Sequence, residues 1–389
     1  MRSVVLWLHK WLGIFSGIVV FLLCLSGALY SFESEIKTWL QPTKYKLQSE
    51  EYNNAKALPL SVLIDYAEQS LETGEYVTRV DLYPSKDRTW AFRSVSINPE
   101  GFGLWNYFKH YKRVFLNPYT GEVVAKENAL HDFFQLTLEV HMNLLLGKTY
   151  GFPIVSYATL LFVFILISGI ILWWPKNKKG KKLKKSFIID TSVKWKRLIY
   201  DLHNVFGFYS FFFVLIIALS GLIFSFPLFK DAYVEFFNNI PKNSKIEISN
   251  EHKKVHFNLD KDPLDNTLEY LLDKFPESAM MSIRLRDEQE KLVDVQVRHK
   301  KGRTGDFDWY YVDKNTQHID NVVRSSELNT GAKLAALNYD IHTGGIGGVM
   351  TKFIACFVCL FCASLPITGY ILWWNKSKKN RKKLLKNLG

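Results

Sequence analysis

Four long stretches without a charged residue constrain this chain more than any other feature of its sequence. They cover residues 11–32, 149–175, 204–229 and 353–375. Because a helix needs roughly 20 apolar residues to cross a lipid bilayer, each stretch predicts one transmembrane helix. The chain is therefore expected to be a four-pass membrane protein in contact with the lipid bilayer.

Basic residues concentrate beside these stretches. Residues 176–197 carry ten lysines and arginines and one acid, Asp190, and the segment from 376 onward carries seven and no acid. The positive-inside rule predicts that these flanks and both termini are cytoplasmic, so the polar segments between the spans lie outside. Lysines beside membrane spans contact lipid headgroups, so the net charge of +13 does not indicate a nucleic-acid partner.

The polar segments have the patterns of small α+β domains. Helical spacing of apolar residues occurs at 59–70 and 263–275, and strand-like alternation or strand–turn–strand patterns occur at 76–83, 113–124, 280–286, 292–298 and 308–313. The predicted fold class is an α-helical membrane protein with four transmembrane helices in two pseudo-repeats and two α+β domains. The predicted order is a first span at 1–32, a first domain at 33–148, a second span at 149–175, a basic loop at 176–197, a third span at 198–229, a second domain at 230–348, a fourth span at 349–375 and a basic tail at 376–389.

A signal peptide is the alternative interpretation of residues 1–32. Their apolar run is longer than the core of a signal peptide, and its pattern recurs later in the chain, so we favour a retained span.

An internal repeat places four histidines at equivalent positions. His9 and His203 each begin the pattern Leu-His-x-x-x-Gly, and a Ser-Gly pair starts 17 residues after each. His141 and His342 each precede a later span that ends in Trp-Trp. The topology predicts the first pair near the cytoplasmic face and the second pair near the outer face. A histidine near a span end can simply anchor in the headgroups, but ionisable groups at membrane depth are usually functional.

Paired imidazoles, in spans without acidic residues, favour haem iron as the metal that they bind. Zinc sites need further nitrogen, sulfur or oxygen ligands, whereas two imidazoles fill the two axial positions of haem. No Cys-x-x-Cys-His motif occurs, which predicts two non-covalent b-type haems. The metal ligands are predicted to be His9 with His203 and His141 with His342. His131 is the reserve candidate for a ligand at the outer face.

Four glycines accompany these histidines. Gly13 and Gly207 lie four residues after His9 and His203, on the same helix face, where a flat macrocycle needs a surface without side chains. Gly27 and Gly221 lie 18 residues after the same histidines and are expected to flank the second haem. The alternative is that these small residues only allow close helix packing. The Cys-x-x-Cys-x-x-Cys run at 356–362 is interpreted as small packing residues rather than an iron–sulfur site.

The sequence resembles the PepSY-associated transmembrane family over nearly its whole length. The resemblance depends on LHKWLG near residue 8, SGALYSF, LNPYTGEVV at 116–124, LEVHMNLLLG at 138–147, SGIILWWPK, and ITGYILWWNK near the end. The second polar segment departs from this pattern, because it has VDKNTQHI at 312–319 instead of a Pro-x-Thr-Gly turn. The resemblance implies four spans and two PepSY domains on the periplasmic side of the bacterial inner membrane. Some members resemble ferrisiderophore reductases that carry two b-type haems.

The residues and the resemblance together predict an oxidoreductase. Electrons from an unidentified cytoplasmic or membrane donor would reach an Fe(III)-siderophore or similar iron chelate outside the membrane. Trp90, Trp105, Tyr107 and Tyr111 could form a docking surface, although aromatic residues more often belong to a core. Two alternatives stay open: a membrane-anchored PepSY module that binds or regulates peptidases without redox activity, and a transporter of a siderophore or metal.

Overall fold

A computed structural model of the chain describes residues 1–52, 55–175, 181–184, 186–239, 262–285, 292–302, 304–313 and 319–388. The chain divides into two compact units. We call Met1–Ser31, Thr137–Lys230 and Ile341–Gly389 the membrane unit, and Phe32–Leu136 with Asp231–Asp340 the sheet unit. Residues 176–180 and 185 of the predicted basic loop lie outside the described residues.

Helices account for most of the membrane unit and for short parts of the sheet unit. In chain order the α-helices are α1 (Arg2–Tyr30), α2 (Glu33–Leu40), α3 (Pro42–Tyr45), α4 (Leu60–Gln69), α5 (Leu104–Tyr107), α6 (Phe133–Asn143), α7 (Lys148–Trp173), α8 (Lys181–Lys184), α9 (Trp195–Ser225), α10 (Pro227–Asn238), α11 (Pro263–Lys274), α12 (Thr330–Ala336), α13 (Asn338–His342) and α14 (Val349–Leu388).

The membrane unit contains the four predicted spans. Among the described residues, α1, α7, α9 and the segment Val349–Lys378 of α14 are long and apolar enough to cross a membrane. Their inner faces meet in one apolar core of Val20, Phe162, Val163, Leu166, Val214, Ala218, Leu222, Val358 and Cys362. Large apolar side chains such as Phe15, Phe164, Phe212 and Phe357 are exposed on the outside, as expected for helices that contact lipid.

A tight turn fixes α6 against α7. Leu144 and Leu145 have φ angles of 53° and 60°, a left-handed conformation that is unusual for residues other than glycine. A Cβ at Gly151 would lie 1.7 Å from the carbonyl oxygen of Asn143, so only glycine allows the two helices to approach this closely. The turn therefore holds the end of α6, which carries His141, directly against a spanning helix.

The sheet unit is built on one antiparallel sheet of eight strands. The strands are β1 (Arg79–Leu82), β2 (Trp90–Ile97), β3 (Phe108–Leu116), β4 (Val123–Asn128), β5 (Met280–Arg284), β6 (Leu292–Arg298), β7 (Phe307–Asp313) and β8 (Ile319–Arg324). Their order is β4-β3-β2-β1-β5-β6-β7-β8. The helices and strands expected from the sequence are confirmed, and β2 and β8 are additional to them.

The two polar segments contribute four strands each to this one sheet. β1 and β5 pair at its centre, with Val80 opposite Ile283. One face of the sheet packs under α4 and α11, whose Leu63 and Leu271 are buried in a core common to both segments. The predicted α+β class is confirmed, and the union of both segments in one sheet and one core is a feature that the sequence did not reveal.

Asp81 is buried at the junction of β1 and β5, with 1% of its surface exposed. Its carboxylate accepts hydrogen bonds from the Ser282 hydroxyl at 2.8 Å and from Nε of Arg79 at 2.9 Å, and it forms an ion pair with Arg93. Burial alone would raise the pKa of Asp81, but the charges of Arg93 and Arg79 outweigh burial and hold that pKa below its ordinary value.

Candidate functional site

The four repeated histidines form two close pairs within the membrane unit. His9 of α1 and His203 of α9 have ring centroids 6.3 Å apart, with an angle of 86° between the ring planes. His141 of α6 and His342 of α13 have centroids 5.9 Å apart, with an angle of 63°. Each pair takes one histidine from each half of the repeat, as the sequence analysis expected.

The first pair is anchored through its Nδ1 atoms. Nδ1 of His9 lies 2.9 Å from the hydroxyl oxygen of Ser168 and 3.2 Å from the carbonyl oxygen of Ile165. The Ser168 hydroxyl donates its own hydrogen to that carbonyl, so its oxygen can accept from the imidazole N–H. Nδ1 of His203 makes the equivalent contact with the Thr368 hydroxyl at 2.9 Å.

The second pair repeats this arrangement on other helices. Nδ1 of His141 lies 3.0 Å from the carbonyl oxygen of Leu23 and 3.2 Å from the hydroxyl of Ser26. Nδ1 of His342 lies 2.9 Å from the hydroxyl of Ser220 and 3.1 Å from the carbonyl oxygen of Ile217. Each histidine is therefore held by a Ser or Thr on a spanning helix other than its own.

A glycine follows each of these hydroxyl residues and lies against the edge of the ring. A Cβ added at Gly27 would lie 3.1 Å from Cε1 of His141, and one at Gly221 would lie 3.4 Å from Cε1 of His342. The corresponding distances are 3.3 Å from Gly169 to His9 and 3.4 Å from Gly369 to His203. We call each Ser/Thr-Gly pair a seat, because its hydroxyl contacts Nδ1 of one imidazole ring and its glycine lies beside Cε1 of the same ring.

These seats determine which ring nitrogen can bind a metal. A neutral imidazole that donates from Nδ1 has its lone pair on Nε2, and histidines that bind metals commonly donate their other N–H to a protein oxygen. Two imidazoles whose Nε2 atoms bind one metal from opposite sides, at about 2 Å each, have centroids about 6 Å apart. The two observed separations, 6.3 Å and 5.9 Å, fit this arrangement.

The predicted glycines occupy two different environments. A Cβ at Gly13 would have no heavy atom within 4 Å, and one at Gly207 would meet only Leu365 Cδ2, at 3.9 Å. Both positions leave room beside the helix surface. A Cβ at Gly27 or Gly221 would instead meet the ring of His141 or His342. A flat group therefore has space beside Gly13 and Gly207, whereas Gly27 and Gly221 border the rings of His141 and His342.

The other histidine candidate and most of the predicted docking aromatics lie elsewhere. His131 is in the sheet unit, exposed, with its ring 6.1 Å from that of Trp105. Trp105 is 61% exposed, but Trp90, Tyr107 and Tyr111 are buried. The suggestion of a docking surface that includes these three residues is wrong, because their side chains pack inside the sheet unit.

The described part of the chain contains no group of three or more His, Cys, Asp or Glu side chains that could hold a metal ion together. The four cysteines are free, and Cys362 is fully buried in the apolar core of the bundle. Each histidine pair is thus a two-imidazole site, which suits a metal whose other ligands come from a bound group.

The Ser/Thr hydroxyls are the site residues that the sequence analysis missed. Each spanning helix carries one of the pairs Ser26-Gly27, Ser168-Gly169, Ser220-Gly221 and Thr368-Gly369, and α1 has a further pair, Ser16-Gly17. That fourfold recurrence, beside four recurring histidines, is the signal that could have assigned one seat to each ring.

Comparison with known proteins gives one family. The family model described as the PepSY-associated TM region matches residues 6–376. A search of curated proteins found no match.

Proposed function

Because this chain belongs to the family of the PepSY-associated TM region, we propose that it is a b-type dihaem reductase of the bacterial inner membrane. In this proposal it passes electrons across the membrane to an Fe(III)-siderophore or similar iron chelate in the periplasm. The observation that carries the proposal is the pairing of His9 with His203 and of His141 with His342, each ring seated through Nδ1.

The seats prepare each ring to bind iron without rearrangement. Hydrogen bonds from Nδ1 to Ser168 and Thr368 set the tautomer and orientation of the first pair, so Nε2 carries the lone pair. Such bonds also increase the basicity of the ligating nitrogen. Iron binding therefore requires little free energy to orient the imidazole rings, because helix packing has already fixed their orientation.

Haem fits these sites better than a metal ion alone. A structural zinc site needs four protein ligands, and each pair supplies two imidazoles. Haem brings four nitrogen ligands of its own and, when bound, supplies reversible one-electron chemistry at iron. The open surface beside Gly13 and Gly207 provides space for its flat ring.

The spacing of the two pairs suits electron transfer across a bilayer. His9 lies near the start of α1, while Ser26 and Gly27, which seat His141, lie near its end. Seventeen residues of helix correspond to about 26 Å, close to the roughly 30 Å hydrocarbon thickness. In this proposal the first pair lies beside the start of α1 and the second pair beside its end, one near each membrane surface.

The proposed orientation follows from charge. Lys194, Lys196 and Arg197 precede or begin α9 at the end that carries His203, and positive residues favour the cytoplasmic side. The His9–His203 pair is then the entry side for electrons, and the His141–His342 pair faces the periplasm. Reduction of the substrate iron weakens its hold on hard oxygen ligands, which releases it from the chelate.

Haem content tests this proposal. Protein purified in detergent with ample haem supply should carry two non-covalent haems per chain, measured by pyridine haemochrome assay and by spectra with and without dithionite. His131→Ala is the control and should keep both haems. A colourless preparation, or one in which His→Ala at all four seated positions leaves haem content unchanged, would contradict the proposal.

A further inference from the structure

A row of arginines crosses the centre of the eight-stranded sheet. Directly opposed Cα partners in this row, from β4 to β6, are Glu127, Arg113, Arg93, Arg79, Arg284 and Asp294. Four arginines thus occupy four neighbouring strands, which lie about 4.8 Å apart. Like charges directly opposite each other destabilise a sheet, so this row requires negative partners.

The arginines project from the face of the sheet opposite α4 and α11. Val80 and Ile283 belong to the core under those helices, and side chains alternate between faces along a strand. Arg79 and Arg284 therefore project to the other face. Arg298 on β6 lies on this face too, because its neighbour Val297 is in the core.

One end of the row is neutralised within the protein. Arg113 donates to Glu127 at 3.0 Å, to Asp132 at 3.3 Å and to Gln135 at 2.6 Å. Both carboxylates also pair with lysines, Glu127 with Lys44 and Asp132 with Lys37. Lys37 pairs with Glu33 as well, so three acids meet three cations at this end of the row. The charge of Arg113 is therefore balanced locally, and its guanidinium is not available to a further anion.

On this face, β1, β2, β5 and β6 carry four arginines and two acids, Asp81 and Asp294, so the centre of the row retains an excess of positive charge. The carboxylate of Asp81 is paired with both Arg79 and Arg93, so two guanidiniums share one acid. Nε of Arg93 is buried and has no hydrogen-bond partner among the described residues. Arg298 donates to the neutral oxygen of Gln296 at 3.1 Å.

The electrostatics of Arg298 agree with this excess. Burial and the positive charge of Arg79 both lower the pKa of Arg298. A guanidinium is held in a partly buried position beside another cation, a situation that a bound anion would relieve.

Aromatic rings continue the same face beside the arginines. Trp309 and Tyr311 of β7 are stacked, with centroids 6.3 Å apart and 21° between their planes. The guanidinium of Arg284 lies 4.7 Å from the Trp309 ring centroid. Side chains of Arg79 and Arg93 are 29% and 30% exposed, so solvent and small molecules reach the cationic centre.

We propose that this arginine face, formed by Arg79, Arg93, Arg284, Arg298 and Trp309, binds an anionic, carboxylate-bearing iron(III) chelate. The inference rests on the proposed function, since it names the chemical class of the reductase's substrate. Charge complementarity carries it: guanidinium groups bind carboxylates with strong, geometrically specific hydrogen bonds, and aromatic faces stack on planar ligands.

Binding of a redox-inert analogue tests the proposal without any electron transfer. Isothermal titration of the full-length protein in nanodiscs with Ga(III)-citrate should give saturable binding that weakens as salt is added. Arg298→Gln should weaken it by about tenfold, the effect of one lost charge-assisted hydrogen bond. Arg79→Gln should do the same, but Arg298→Gln is the primary variant because Arg79 also pairs with buried Asp81.

Arg324→Gln is the matched control. Arg324 of β8 is paired with Glu327 at 2.7 Å, so the same charge is removed away from the arginine face and affinity should not change. A cationic trihydroxamate chelate of Ga(III) should bind far more weakly than Ga(III)-citrate.

Equal affinities of Arg298→Gln and Arg324→Gln for Ga(III)-citrate would overturn the inference. So would a loss of haem from Arg298→Gln with chelate affinity intact. The two proposals fail separately: protein that binds haem but ignores Ga(III)-citrate contradicts only this inference, and haem-free protein that binds the chelate contradicts only the proposed function.

Discussion

Nδ1 of His9, on α1, lies 2.9 Å from the hydroxyl oxygen of Ser168, on α7. The contact joins the two spanning helices of the first half of the chain and fixes the ring of a proposed iron ligand. Three equivalent contacts seat His141, His203 and His342. These contacts give the histidine pairs their geometry.

Removal of the Ser168 hydroxyl should weaken haem binding at the first pair. Ser168→Ala deletes the acceptor next to His9 but leaves the Ile165 carbonyl, so the loss should be at the low end of the 10–100-fold expected for such partners. The haem potential should rise, because the ligand becomes less basic. Haem retention and potentiometric titration measure both effects. Ser156→Ala is the control on α7, since Ser156 donates to the Phe152 carbonyl; equal behaviour of the two variants would contradict a role for the seat.

An added methyl group at the glycine seats should displace the rings of the second pair. At Gly27 the new Cβ would lie 3.1 Å from Cε1 of His141, tighter than ordinary contact, whereas at Gly221 the distance to His342 is 3.4 Å. Gly27→Ala should therefore perturb the haem spectrum of that pair more than Gly221→Ala does. Spin-state bands in visible and resonance Raman spectra measure the change. An unperturbed spectrum in both variants would count against ligation by these rings.

The Gly13→Ala variant distinguishes an effect on the packing of the protein from an effect on the binding of the proposed haem. The protein leaves the site open, with no heavy atom within 4 Å of the new Cβ, so the helix bundle itself should tolerate the methyl group. Haem retention at the first pair should fall because the flat ring needs that surface. Thermal stability of haem-free protein should stay the same or rise, since alanine favours helix by about 1 kcal/mol over glycine. Full haem retention would place the macrocycle elsewhere.

Asp81 should make the sheet unit sensitive to acid. Its pKa is below the ordinary value when folded, so its contribution to stability is present above the unfolded value of about 3.9 and is lost as pH falls below it. Asp81→Asn leaves Arg79 and Arg93 without their shared partner and should cost about 3–5 kcal/mol at neutral pH. It should also flatten the acid limb of the stability profile. Thermal unfolding between pH 3 and pH 7 checks this, with exposed Asp65→Asn as control.

Local patterns predicted much of this molecule. The four spans follow from uncharged windows, and the helices α4 and α11 follow from apolar spacing. The pairing of β1 with β5 joins residues about 200 positions apart, and no local pattern encodes such a contact. The aromatic side chain of Trp90 is of a type that suits a docking surface, but the fold buries it, and local sequence does not show this.

The candidate site was predictable to a similar degree. Repetition identified the histidines, because two copies of one unit place equivalent residues at equivalent depths. The hydroxyl of Thr368 is a different case: it contacts His203 only because of the rotation of α14 against α9, which packing between helices determines. Sequence spacing alone gives the face of a helix but not the neighbour that it meets.

The pairing of His9 with His203 is the central claim, and potentiometric titration of single variants tests it most directly. His9→Ala and His203→Ala should each abolish the same redox step and leave the step of the His141–His342 haem in place. Because the rings lie 6.3 Å apart, one lost ligand should convert that haem from six-coordinate to five-coordinate or remove it. If His9→Ala and His203→Ala affect different redox steps, or if neither affects any, the account is contradicted.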